Sequence, residues 1–153
     1  MTGELRPVLE RMSRETKETV DLAVLDGEAM LFVDQVTGPQ RLRTVSAVGT
    51  RFPLVSTANG KAALALLPEI ERARRLPSGL SPHLRRELAR VAQDGFAEDI
   101  EEHTPGICAV GRALHGQDGQ IYAISIPVPS ARYAARRDAL IASLDRAIEA
   151  IGG

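Results

Sequence analysis

The chain has 153 residues, 44% of them apolar and 25% charged, which is the size and balance of one globular domain able to bury its own core. Its net charge of -1, with acids and bases interspersed, excludes the basic face that binding to a phosphate backbone requires. A single cysteine, Cys108, excludes an intramolecular disulfide framework and a Cys-rich zinc site, as expected in a reducing compartment. The longest apolar run, Ala62 to Leu67, is too short to span a bilayer, and Met1 to Glu10 is charged where a signal peptide would be apolar, so the expected location is the cytoplasm.

Leu5, Val8, Leu9 and Met12 share one face of a short opening helix that Ser13 to Lys17 closes. Thr19 to Leu25 and Ala29 to Val36 read as two antiparallel strands, joined by an Asp26-Gly27 turn in which both central residues take positive φ. Gly38-Pro39 breaks the second strand, and Arg41 to Ser46 alternates as a third, edge strand. Near Thr57, an N-cap type followed by Ala62, Ala63, Leu64, Leu66 and Leu67 predicts a buried helix. Pro68 precedes a short helix through Arg75, and Ser81-Pro82 starts another that Gly95 stops, with Leu84, Leu88 and Val91 on one face. Strands return at Phe96 to Glu101, Ile107 to Leu114 and Gln120 to Val128, the last two linked by the turn Gly116 to Gly119. Leu140, Ile141, Leu144, Ala147, Ile148 and Ile151 form a final helix against the sheet. Strands at both ends with helices between them predict an α+β domain around a mostly antiparallel sheet, without a βαβ repeat.

Few residues promise chemistry. Gly60-Lys61 invites comparison with a phosphate-binding loop, but Val55 and Ala62 stand where that pattern needs Gly and Ser or Thr. Two readings of Thr57 to Gly60 remain: free amides at a helix start that receive a carboxylate, or small side chains that permit tight packing. Asp99, Glu101 and His103 would share one face of an extended strand, although charge runs are commonly solvated and no spaced His or Cys pair supports a metal. Cys108, with His103 or His115 as base, is the candidate nucleophile, set against a small buried hydrophobe in an apolar strand. Arg132, Arg136 and Arg137 read as solvated surface ahead of the last helix, with an interface or anion contact as the alternative.

Several blocks in order also resemble a known family. Thr19 to Val24 after Glu18, Gly49-x-Arg51-x-Pro53-Leu54, Gly60-Lys61-Ala62, Gly95-Phe96-Ala97-x-Asp99-x-Glu101-Glu102 with His103-x-x-Gly106, and Ile124-Ser125-Ile126 are similar to the effector-binding domain of IclR-type bacterial transcription regulators. The likeness runs from Leu9 to Gly153. It implies a GAF-like fold: a curved, mostly antiparallel sheet of about six strands, helices on its faces and an enclosed small-molecule pocket. Pocket positions implied by the resemblance are Thr44, Ala58, Asn59, Asp99, Ile107, Ala109 and Ser125. The implied function is effector sensing and oligomerisation without catalysis, cofactor or metal: a small organic or aromatic acid as ligand, a homodimer or homotetramer, and operator DNA only through an N-terminal winged helix-turn-helix. No such reader precedes Thr2, so residues 1–153 are expected to form a single sensor domain with 1–15 as the remnant of a linker helix. Alternatives are a structural oligomerisation module and an enzyme using Cys108 and His103.

Departures from the family pattern shift the expectation. Ala109 stands where many relatives carry a pocket cysteine, and strand alternation turns Cys108 to the opposite face. Val55 replaces a frequent His, and Pro127-Val128-Pro129 replaces Ser-Gly-Pro, so the ligand should be more apolar than the smallest keto acids.

Overall fold

Chain order is α1 (Thr2–Thr16), β1 (Val20–Asp26), β2 (Ala29–Val36), β3 (Arg51–Pro53), α2 (Ala58–Leu66), α3 (Glu69–Arg75), α4 (Pro82–Asp94), β4 (Ala97–Ile100), β5 (Ile107–His115), β6 (Ile121–Pro129) and α5 (Ser130–Gly152). These elements are taken from a computed structural model that describes residues 2–40 and 48–152. The strands form one antiparallel sheet in the order β3-β2-β1-β6-β5-β4. A register shift between Leu22 and Ala23 opposite β2 marks a bulge, which adds local bend and twist to the sheet. The α+β class and the six-stranded antiparallel sheet expected from sequence are what the chain adopts.

Period-2 alternation gives the sheet two distinct faces. Val20, Leu22, Val24, Val110, Ile124, Ile126 and Val128 join Leu5, Leu9 and Met12 of α1 and Leu140 and Leu144 of α5 in the larger core. Ala23, Met30, Phe32, Ile121 and Ala123 lie on the other face, packed with Leu64 of α2 and Leu84 and Leu88 of α4. The second face is built from small residues because α2 lies close to it. Gly111 shows how close: a Cβ there would stand 3.6 Å from the carbonyl carbon of Ala58.

Boundaries moved where local hydrogen bonds outweighed periodicity. α1 continues to Thr16 because Thr16 Oγ1 donates to the Met12 carbonyl and Lys17, at φ 60, donates its N–H to the Ser13 carbonyl. The first hairpin turns on Gly27-Glu28, one residue later than expected, and of those two only Gly27 has positive φ, which fits a II′ turn. β3 was not foreseen, and the predicted strand Arg41 to Ser46 falls outside the described residues. α5 begins at Ser130, ten residues before its apolar repeat.

That early start corrects the reading of the arginines as solvated surface. Arg132 donates two hydrogen bonds, at 2.8 and 2.7 Å, to Glu18, which is 1% exposed. Arg136 donates to the Thr16 carbonyl at 2.5 Å, and Arg137 holds Glu98 through bonds of 2.8 and 3.0 Å. The first turns of α5 are thereby tied to the α1–β1 corner and to β4.

Two stability outcomes follow. A Cβ on Gly60 would sit 2.4 Å from the Leu54 carbonyl oxygen and 2.6 Å from its Cα, both backbone atoms, so Gly60→Ala should cost roughly 2–3 kcal/mol in urea unfolding. Arg132→Met strands the buried Glu18 carboxylate and should cost roughly 3 kcal/mol, whereas Arg132→Lys restores only part because one ammonium cannot reproduce the paired bonds.

Candidate functional site

Helix α2 starts where β1 and β6 part. The β1–β6 ladder ends at Asp21 opposite Ser125, whereas β6 runs on to Pro129 with β5 as its partner. Pro127 is tolerated there because the β1 ladder has already ended. The N-terminus of α2, β1, β2, β3, β5, β6 and the end of β4 together enclose a cleft of about 280 Å³.

Thr57 caps α2: its Oγ1 accepts the Gly60 N–H at 3.1 Å and donates to the Pro53 carbonyl at 2.7 Å. The Lys61 N–H goes to the Thr57 carbonyl, which leaves the N–H groups of Ala58 and Asn59 without partners among the described residues. Both sequence readings of this segment therefore have substance. Gly60 is small because it packs on Leu54, and two amides remain directed from the helix start.

Ala58, Asn59, Asp99, Ile107, Ala109 and Ser125 all line this cleft, and Thr44 lies outside the described residues. Asn59 is 3% exposed and its Oδ1 is buried without a hydrogen-bond partner. The buried Ser125 hydroxyl also has no partner among the described residues. Asp99 Oδ1 accepts the backbone N–H groups of Glu102 at 2.7 Å and His103 at 3.4 Å, so half of this carboxylate shapes the turn after β4 while Oδ2 has no partner there. Burial raises the Asp99 pKa, opposed by those two N–H donors and then by the charges of Lys61 and His103.

Sequence reasoning missed Asp21, Phe32 and Phe52, and considered His103 as a base or metal ligand but not as part of this cleft. Asp21 lies beside Ser125 on the cleft face of β1, and its Oδ1 accepts a 2.6 Å hydrogen bond from Gln35 Nε2. Burial pushes its carboxyl up to about 7, against the lowering effect of Gln35. A lone acid on the inward side of the apolar run Val20 to Val24 was the available signal. Phe32 and Phe52 meet with ring centroids 4.5 Å apart, and the exposed His103 meets Phe52 edge-on at 5.0 Å, forming an aromatic wall from floor to mouth.

The expected shared face of Asp99, Glu101 and His103 does not form. β4 ends at Ile100, Glu101 takes φ 55, and the acids diverge: Glu101 accepts the Gly106 N–H at 2.5 Å, while Glu102 pairs with Lys61. Lys61 is fully buried between Glu102 and Glu87, whose Oε2 lies 2.7 Å from Nζ, so it is no phosphate lysine. Val55 is exposed and does not line the cleft, so its replacement of a histidine does not make that cleft more apolar. Cys108 packs in the core beneath α1 and α5, its Sγ 3.4 Å from Ser130 Oγ, on the opposite sheet face from His103 and Asp99. Those groups do not converge as a catalytic set.

The family described as "Bacterial transcriptional regulator IclR C-terminal" matches residues 2–152. Similar curated proteins include the HTH-type transcriptional regulator Rv1719 of Mycobacterium tuberculosis, 50% identical over 92% of this chain and 58% of its own length. The HTH-type transcriptional regulator TtgV of Pseudomonas putida is 33% identical over 88% of this chain and 55% of its own. The chain thus spans little more than half of these relatives. Among solved structures, the Thermotoga maritima IclR crystal structure superposes with a TM-score of 0.84 at 29% identity, covering 95% of this chain and 64% of that one. The effector domain of an Acinetobacter IclR regulator shares the fold, with a TM-score of 0.86 at 16% identity and coverage of 99% and 95%. On this sequence and structural agreement, the chain belongs to the IclR family of bacterial transcriptional regulators and corresponds to their C-terminal domain.

Proposed function

We propose that this domain is the effector sensor and oligomerisation module of a bacterial transcription regulator, and that it is not an enzyme. One observation carries the reading. Among the described buried polar residues, Ser13, Thr16, Glu18, Thr19, Thr57, Lys61 and Ser143 have partners, whereas Asp21, Asn59, Asp99 and Ser125, which have acceptor capacity left over, all line one cleft; the other buried atoms without partners are the Nε donors of Arg75 and Arg112, outside it. Leaving such groups unmade costs about 1–3 kcal/mol each, so their concentration in one cavity is best explained by a ligand that completes them. The volume suits a small organic molecule, and Ala58, Asn59, Asp99, Ile107, Ala109 and Ser125 are the proposed contacts.

Of the acids expected from sequence, a carboxylate would be welcomed by the Ala58 and Asn59 amides and opposed by Asp21 and Asp99. Regulation requires that the ligand bind two subunit or domain arrangements with different affinity. α1 is the natural path for that difference, because it packs on α5 and on the sheet and would lead to an N-terminal DNA-binding domain of a longer regulator. Contacts with operator DNA belong to that domain, and the proposed assembly is a homodimer or homotetramer.

A thermal-shift screen over keto acids, hydroxy acids, aromatic acids, lactones, alcohols and amines tests the reading. A true effector at a hundred times its Kd should raise the Tm by roughly 5–10 °C, and Asn59→Leu should remove most of that gain. A folded, oligomeric protein with no hit in any class would point to a structural module.

A further inference from the structure

Resting on that sensor reading, we infer that the cleft selects an apolar, single-ring-sized molecule presenting a hydrogen-bond donor, a hydroxyl or an amine, and disfavours carboxylates, with Asp21 as the accepting group beside Ser125.

Size and wall chemistry set the body of the ligand. An apolar cavity of about 150 Å³ already holds benzene, so about 280 Å³ accommodates a substituted single ring. Phe32 and Phe52 on one side and Ile107, Ala109 and Pro127 on the other offer it apolar surface.

Charge sets its polar end. Among the described lining residues there is no Lys or Arg. The nearest ammonium, Lys61, is neutralised by Glu87 and Glu102 and is fully buried. Against this stand two carboxylates, Asp21 on β1 and Asp99 at the end of β4, each with one oxygen lacking a partner among the described residues, and a third acceptor in Asn59 Oδ1. Among the described lining residues, His103 at the mouth is the remaining titratable group, and Gln35 from β2 donates to Asp21. Three acceptors with spare capacity in an apolar chamber match a donor. A carboxylate would have to face both acids, and like charges so placed oppose its binding.

Burial that raises the Asp21 carboxyl to about 7 makes the preference tunable. Above that pH the side chain is a carboxylate and favours an ammonium; below it, the protonated acid loses that attraction. The same displacement acts on folding. An unfolded aspartate titrates near 3.9, so stability associated with the protonated form is complete below about pH 4 and is lost as pH rises through about 7.

Calorimetric titration of the whole chain with benzyl alcohol, benzylamine and benzoate, a matched set, provides the test. The alcohol and the amine should each bind about tenfold or more tighter than benzoate at pH 7.5. Benzylamine affinity should rise roughly tenfold between about pH 6 and pH 8, and Asp21→Asn should abolish that rise. The Tm of the native chain should fall relative to Asp21→Asn across pH 4 to 7, a readout that needs no ligand and shows whether the variant folds. Benzoate binding as tightly as the others, lost in Asn59→Leu, overturns the donor preference and leaves the sensor reading standing. An unchanged amine profile in a folded Asp21→Asn also overturns it. Binding of none of the three overturns it too, and a failed broad screen then removes the sensor reading as well.

Discussion

A lysine removed entirely from water holds the site side of this domain together. Lys61 sits in the second turn of α2 with its ammonium between Glu87 of α4 and Glu102 of the turn after β4. Burying a cation costs several kcal/mol unless its partners are close and fixed, and losing either carboxylate would leave charge uncompensated. α2 and α4, which also share apolar contacts, and the turn after β4 are thus held in one arrangement. The turn that Glu102 anchors is the turn whose amides Asp99 caps and whose His103 closes the aromatic wall, so the position of the cleft mouth is coupled to the ion pair under α2.

Above that anchor the sheet does the sorting. One face carries β-branched and large aliphatic side chains into the core shared with α1 and α5, and the other carries Ala23, Ala109, Gly111, Ala113 and Ala123, over which α2 can lie close. Close approach along most of the helix, and divergence of β1 from β6 at its N-terminal end, produce a cavity there, which the turn after β4 helps to line. The apolar bulk that stabilises the domain and the small residues that define its cleft are consequences of the same two-residue alternation.

Much of this was legible in the sequence because it depends on local chemistry. The Thr57 and Ser81 caps, Pro82 at a helix start, the left-handed Gly95 stop and the alternation of β1, β2, β5 and β6 each have a short-range cause, and each element formed where that cause placed it. What failed depended on distant partners. Arg132 reads as surface until Glu18, 114 positions away, is known to be buried beside it. The acidic run after Asp99 reads as one strand face until Glu101 turns the backbone to positive φ and sends neighbouring carboxylates to different partners. Asp21 was hidden for another reason: a single acid in an apolar strand carries no pattern, and its importance rests on which sheet face it occupies and what lies above it. Most of the proposed ligand contacts, Ala58, Asn59, Asp99, Ile107, Ala109 and Ser125, were named through family likeness and share one cavity, whereas the aromatic wall came only from three-dimensional proximity.

A folded chain ordinarily pairs what it buries, and this one does so in several places: Glu18 with Arg132, Lys61 with two carboxylates, Ser143 with Glu15, Thr16 with its own helix. Among the described residues, unpaired acceptor capacity on buried side chains gathers at the cleft, in Asp21, Asn59, Asp99 and Ser125, whereas two donor atoms, Nε of Arg75 and of Arg112, are buried without partners outside it. An apolar residue of similar size at Asp21 or Asn59 would remove the cost of incomplete pairing there from the empty domain. On the proposed sensor reading, these groups make the cleft costly until it is filled, and that is the condition under which ligand binding has free energy available to shift a larger equilibrium. On the same reading, the cost of Asp21 to the empty domain and its capacity to recognise a donor are the same physical fact, seen without and with a ligand.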